Sequence, residues 1–303
     1  MQILIGLMFL VAQQSAAAGK PRMNLEPLHN AMKSFDGVAG LAARNLLTGE
    51  EIVINADGRF PTASAIKTAV MVEAYHQASR GTLSLDTTIP LRQSDKVGGS
   101  GVLNGLSEGL ALSVRDLIHL MIVVSDNTAT NLLVSRLGTK NVDARMVALG
   151  LEHTKLFRPT FRDGKADIFP ELEKEFGLGM STPREMANLM ELIATGAAVD
   201  KDASAAMLET LRSQQDRAMI PRLLPGNLQV GSKTGTDSEK LADERGRRGA
   251  IRVDAGIVTG DGVRYVIALF TRRGGDTRGG ADNAGVLLGA QLSRMVYEQF
   301  TRK

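Results

Sequence analysis

The chain has no cysteine, which excludes disulfides, thiolate catalysis and cysteine metal sites. It has no tryptophan and only three tyrosines, too few for an aromatic platform on which bases or sugars stack. Its four histidines, His29, His76, His119 and His153, form no His-x-x-x-His pair. A histidine metal site and a Ser-His-Asp triad are therefore not expected, and neither is a metal or cofactor. A large excess of one charge is missing too. The net charge is +3, which argues against nucleic acid as an obligate partner. Apolar residues make up 43% and charged residues 23%, ordinary for a soluble globular protein with a sizeable core.

Long apolar runs are nearly absent. The exception is Ile3 to Ala12, followed by Ala16-Ala17-Ala18. Met1 to Ala18 reads as a secretory signal with cleavage near Ala18, although no lysine or arginine precedes Lys20. The run is shorter than the ~20 residues a spanning helix needs, so no stable membrane span is expected. The protein is expected to be exported, periplasmic or secreted, and monomeric.

What is present is a patterned chain. Met23 to Lys33 reads as a helix. Ala42 to Leu46 and Glu51 to Asn55 read as two strands joined by the Leu47-Thr48-Gly49-Glu50 turn. From Ser64 to about Ser213 the pattern is mostly helical. Ser113 and Asp116 form a capping box for Val114 to Val124. Thr128 to Leu137 is stopped by Gly138, and Thr139 caps the next helix. Thr182-Pro183-Arg184-Glu185 opens another. Between them, Lys155 to Leu178 reads as a long surface loop with about one helical turn. Leu228 to Ser232 and Arg252 to Val258 are strands, and Arg264 to Phe270 pairs with the second across Gly260-Asp261-Gly262. A helix from Ala281 to Phe300 closes the chain. The fold class is α/β (α+β): an antiparallel sheet from residues 20–60 and 214–303, flanked by helices, with an inserted all-helical domain over 61–213. A two-stranded N-terminal hairpin is too small to stand alone.

Three short motifs carry the chemistry. In Ser64-Ala65-Ile66-Lys67, a helical turn puts the lysine on the serine's face, where its amine can reach the hydroxyl. A free serine is a poor nucleophile, and an adjacent base activates it. The helix N-terminus offers unpaired N–H groups to a developing oxyanion. Ser125-Asp126-Asn127 follows an apolar helix, and Lys233-Thr234-Gly235 lies on a strand. Each is weak alone; together, in this order, they are strong. The chain resembles the serine β-lactamase and penicillin-binding transpeptidase-like superfamily, closest to its class A β-lactamase branch. The resemblance covers nearly the whole chain after the leader.

That resemblance implies roles. Ser64 is the nucleophile that becomes acylated, and Lys67 serves as the base or assists it. Ser125 relays a proton to the leaving nitrogen, and Lys233 supplies charge to Ser125 and to the substrate carboxylate. Asn127 binds the substrate's side-chain amide, Thr234 and Thr236 bind its carboxylate, and the backbone N–H groups of Ser64 and Thr236 form the oxyanion hole. The sequence also departs from the pattern. The branch carries in its long loop a water-positioning glutamate with an asparagine four residues later; here that place falls near Ala166, beside Asp167. Asp167 is the candidate deacylation group, one methylene shorter and without the asparagine. The charged stretch Asp237 to Ala250 offers Arg245, Arg247 and Arg248, and Arg252 follows. These are candidates for the substrate carboxylate or exposed loop charges.

The expected function is a serine acyl-enzyme hydrolase acting on the β-lactam amide. The alternatives are a D-alanyl carboxypeptidase or esterase, and a β-lactam-binding protein that acylates but deacylates slowly. In each case the partner is a small acyl substrate.

Overall fold

Two hydrophobic cores, one on each face of a five-stranded sheet, organise residues 23–302, the part of the chain that this computed structural model describes. The expected leader at 1–18 lies outside the described residues. In chain order the elements are α1 (Glu26–Lys33), β1 (Val38–Asn45), β2 (Glu51–Ile54), β3 (Phe60–Pro61), a 3-10 turn (Ala63–Ile66) and α2 (Lys67–Ser79). Next come β4 (Thr88–Pro90), β5 (Ala111–Ser113), α3 (Val114–Val123), α4 (Asn127–Leu137), α5 (Thr139–Ala148), β6 (Lys155–Leu156) and α6 (Pro170–Phe176). The chain ends with β7 (Gly179–Ser181), α7 (Pro183–Thr195), α8 (Lys201–Arg212), β8 (Gln229–Ser238), β9 (Ala250–Gly260), β10 (Val263–Gly274) and α9 (Ala284–Phe300).

The large sheet has the order β2-β1-β10-β9-β8, antiparallel throughout, so N-terminal β1 pairs with C-terminal β10. Strand alternation sorts its side chains. Tyr265, Ile267 and Leu269 of β10 face α1 and α9, in one core with Leu28, Leu292 and Val296. Val266, Ala268 and Phe270 face the other way and join Met186, Leu189 and Ile193 of α7 in the larger core. The β9–β10 turn places Asp261 at φ 49°, between two glycines that also take positive φ.

The helix starts follow local chemistry. Ser113 Oγ accepts from Asp116 N at 3.1 Å, and Asp116 Oδ2 accepts from Ser113 N at 3.1 Å, a complete capping box. Thr182 Oγ1 caps α7 from Glu185 N at 3.1 Å. Thr139 differs from its expected cap role. Gly138, at φ 87°, breaks the chain there and makes Thr139 the first helical residue, so its hydroxyl is free to donate to Asp167 Oδ2 at 2.6 Å. The inserted segment also carries two small antiparallel sheets, β3-β7-β6 and β4-β5. Strands of two or three residues have no periodicity to read. Within the long loop Pro170 opens the seven-residue α6, longer than the single turn expected.

Among the described residues no helix is long and apolar enough to cross a membrane. Ile267 is fully buried in the middle of β10. We expect Ile267→Ala to lower the unfolding free energy by about 2–4 kcal/mol in urea titration, through lost transfer energy and the cavity left behind.

Candidate active site

The segment before α2 is pinned at both ends. Thr62 N donates to Gly179 O at 3.0 Å, and Ala65 N donates to Thr62 O at 3.0 Å, with Ala63 at φ 45° between them. A non-glycine residue in that region stores strain. Ser64 follows in the 3-10 turn, and Lys67 is the first residue of α2. Lys67 is completely buried. Its Nζ donates to Ser125 O at 2.7 Å, Asn127 Oδ1 at 2.8 Å and Ser125 Oγ at 3.1 Å. Those three bonds use all the protons of an ammonium, and none goes to Ser64 Oγ. Burial holds the Lys67 pKa well below the usual lysine value; Lys233 adds to the depression and Asp126 opposes it. A lysine so placed loses a proton readily, and the neutral amine then has a lone pair for base work.

The turn after α3 is built around Asp126. Its Oδ1 accepts Ala129 N at 2.8 Å and caps α4, while Oδ2 accepts Val102 N at 2.6 Å and Leu103 N at 2.8 Å. Gly101, at φ 111°, packs so closely that a Cβ there would lie 2.3 Å from the Asp126 carboxyl. Ser125 sits at φ 55°. Its carbonyl oxygen takes both the Lys67 ammonium and Ser100 Oγ at 2.8 Å, which fixes the strained conformation. The Asn127 amide is engaged at both ends, with Oδ1 on Lys67 and Nδ2 donating to Gly98 O at 3.1 Å.

The third wall is β8, the edge strand beside β9. Lys233 is fully buried, and its Nζ donates to Thr234 O at 2.8 Å. Burial pushes its pKa down to about 8, against the pull of Asp254 and Asp216. A Cβ at Gly235 would stand 2.4 Å from Thr62 O and 3.1 Å from Ser64 N, so only glycine lets β8 approach the nucleophile's turn.

These three pieces enclose a cavity of about 730 Å³ lined by Ser64, Ser125, Asn127, Thr234 and Thr236. Lys67 and Lys233 lie buried behind its surface. The long loop adds Arg158, Thr160, Phe161 and Asp163 to the lining, and Ser100, Asp216 and Lys240 come from elsewhere. Thr160 is held by Asn131: Thr160 N and Oγ1 donate to Asn131 Oδ1 at 2.8 and 2.9 Å, and Asn131 Nδ2 returns to Thr160 O at 3.3 Å. Asp163 is bound by the buried Arg158 on one oxygen and by Lys240 Nζ at 2.8 Å on the other. The Lys240 hydrogen bond, with the Arg158 and Lys240 charges, holds its carboxyl below the usual range.

Several sequence candidates are not brought to this cavity. Asp167 is absent from its lining; its carboxylate is tied to Thr139 and lies 3.5 Å from Arg162. Arg245, Arg247 and Arg248 line a separate cavity of about 820 Å³ with Arg272 and Arg273. Arg252 is buried and donates to the carbonyls of Ile251, Asp237 and Arg278 at 2.7 to 3.1 Å. Of the residues the sequence reading missed, Ser100 had a signal in the Gly98-Gly99-Ser100-Gly101 run. Thr160, Asp216 and Lys240 had none, and Asp163 stood among several long-loop acids, Asp167, Glu171, Glu173 and Glu175, with nothing to single it out.

The model of the β-lactamase enzyme family matches residues 26–300. The chain belongs to that family. It is 28% identical over 218 residues to β-lactamase L2 of Stenotrophomonas maltophilia, covering 70% of this chain and 68% of that protein. The crystal structure of a β-lactamase from Sphaerobacter thermophilus is similar at TM-score 0.79 and 28% identity, over 92% of this chain and 98% of that one. A mutant of PBP-A, solved as an acyl-enzyme complex with penicillin G, is similar at TM-score 0.76 and 27% identity, over 91% and 94%. The family and these structures agree with the α/β fold and with the resemblance carried by the three motifs.

Two outcomes are expected from this geometry. Gly235→Ala forces β8 away from Ser64 and should slow acylation by a β-lactam at least a hundredfold in stopped-flow assays, with the thermal midpoint also lowered because the new Cβ meets backbone atoms on the facing turn. Asp167→Asn should change acylation and deacylation rates by less than about twofold, because the group faces Thr139 and Arg162 and not the cavity.

Proposed function

We propose that this protein opens β-lactam amides by acylation of Ser64 and hydrolyses the resulting ester. The observation that carries the reading is the buried Lys67, ligated by the Ser125–Asn127 turn and one helical turn from Ser64. In this reading Lys67 gives up a proton and then serves as base for the Ser64 hydroxyl, directly or through Ser125. Ser125 passes a proton to the departing nitrogen, and Lys233 stabilises the charge that Ser125 and the substrate carboxylate bring. Thr234 and Thr236 hold that carboxylate, and Asn127 orients the acyl side chain with the edge of its amide. The backbone N–H groups of Ser64 and Thr236 receive the oxyanion, each donor contributing on the order of 3 kcal/mol. The sheet formed by 20–60 and 214–303 and the insertion 61–213 act as one catalytic unit. The protein works as an exported monomer after loss of residues 1–18.

One observation favours a second reading, in which acylation outruns deacylation. Of the long-loop residues that line the cavity, only Asp163 is a carboxylate, and both its oxygens are held by cations. A carboxylate so paired is a weak base toward water.

The test mixes purified protein with a chromogenic cephalosporin and follows absorbance and intact mass together. A burst with a mass adduct is expected, then turnover limited by loss of that adduct. Ser64→Ala should abolish both, and an adduct that persists in Ser64→Ala overturns the nucleophile. Thr160→Glu, which puts a carboxylate on the long-loop side chain fixed by Asn131, should shorten the adduct's lifetime tenfold or more. Turnover of a D-alanyl ester without β-lactam turnover would mark a carboxypeptidase or esterase.

A further inference from the structure

Most large apolar side chains are buried, but one aromatic ring stands open in the catalytic cavity. Phe161 is 60% exposed and lines that cavity together with Ser64, Ser125 and Asn127. The other apolar residues of the lining offer no such surface: Ala63, Val123 and Leu178 are buried, and Val124 is half-buried. Further along the long loop Phe169 is exposed too, but the Lys155 ammonium lies 4.7 Å from its ring centroid. Among the described residues no cation or second ring covers Phe161 in this way.

Neither the cores nor the backbone accounts for a phenylalanine here. Its ring belongs to none of the hydrophobic clusters. Its φ is 57°, in the left-handed region, where glycine or asparagine sits with less strain than a bulky side chain. The residues before it impose that conformation. Arg158 Nη1 donates to Pro159 O at 3.0 Å, and Asn131 grips Thr160 through its N–H, hydroxyl and carbonyl. A single exposed apolar side chain needs no explanation by itself. The position of this one supplies an explanation. Gly99, at φ 80°, separates the ring from the Asn127 amide: a Cβ there would stand 2.8 Å from Phe161 Cζ and 2.6 Å from Asn127 Nδ2. The ring edge and the amide are therefore neighbours across one glycine. Gly98 O accepts Asn127 Nδ2 at 3.1 Å, so the backbone that abuts the ring also holds the amide. Thr160 and Phe161 line a second cavity as well, of about 510 Å³, which makes the ring a partition between the two spaces.

We propose that Phe161 is a specificity-determining side chain: its ring receives a planar aryl group carried on the acyl side chain of the substrate, beside the point where Asn127 orients that side chain. Of the charged groups in the lining, Arg158 and Lys240 are both bound to Asp163. The ring is the one broad apolar surface the cavity offers. Contact between two rings, with the apolar area it removes from water, favours an aryl side chain over a small one by about tenfold.

This inference rests on the proposed acylation of Ser64, and the experiment separates the two. Benzylpenicillin is compared with its acetyl counterpart, which keeps the side-chain amide and lacks the ring. The second-order acylation rate of each is timed by quenched-flow mass spectrometry for the parent, Phe161→Ala, Phe161→Asn and Phe161→Tyr. The preference for benzylpenicillin should fall about tenfold in Phe161→Ala. Phe161→Asn suits the left-handed backbone and should lose the preference equally, while Phe161→Tyr keeps a ring and should retain it. Slowing of both penicillins by the same factor would mark a role in loop conformation alone and overturn the inference, as would a preference restored by asparagine. If the parent forms no adduct with either penicillin, the Ser64 assignment fails and takes this inference with it; an adduct with an unmoved preference sinks the inference alone.

Discussion

Two lysine ammonium groups are taken out of water beneath one cavity, and much of the structure follows from that. An isolated ammonium does not survive such burial with an ordinary pKa; it finds ligands, a counter-charge, or loses its proton. Lys67 finds ligands in Ser125 and Asn127. Lys233 has one carbonyl and the field of nearby carboxylates. The two also repel each other, which adds to the effect of burial in lowering the Lys67 pKa and eases the loss of its proton. The Ser125 turn is strained, the glycines at 101 and 235 are closely packed, and Asp126 is fully bonded because each holds a lysine's surroundings at fixed range.

The sheet gives those surroundings rigidity. Its two faces belong to two cores, and β8 packs on α8 and on the turn that carries Ser64 while its Val230 joins the α9 core, so the strand cannot slide without disturbing them. The nucleophile's turn belongs to neither terminus. It leaves β3, joins α2 at the heart of the larger core, and reaches β8 only where Gly235 has no side chain.

How much of this was legible in the sequence depended on the range of the interaction. The capping box at Ser113 and the start at Thr182 were readable because the partners lie three residues apart. The large strands were readable because side-chain alternation is local. The pairing of both termini followed from the size of the N-terminal hairpin. Ser64, Lys67, Ser125 and Lys233 were found through motif order, and Ser64 and Ser125 do line one cavity with the two lysines behind it. Asp167 was chosen by counting back from Thr182, but a loop's side-chain directions are set by tertiary contacts, here Thr139 and Arg162. The clamp of Asn131 on Thr160 joins residues 29 apart and has no local trace. The arginines at 245, 247 and 248 were attractive by charge, yet the chain folds them toward Arg272, away from the nucleophile.

The cavity also lies across a seam. Thr234 and Thr236 come from the sheet, while Ser64, Ser125 and Thr160 come from the insertion. A small separation along that seam, far short of unfolding, would break the alignment of nucleophile and oxyanion donors while both cores stayed intact. Catalytic competence is therefore a property of the joint and not of either half. Evolution or engineering can alter reactivity by tightening or loosening that joint at positions that never touch a substrate.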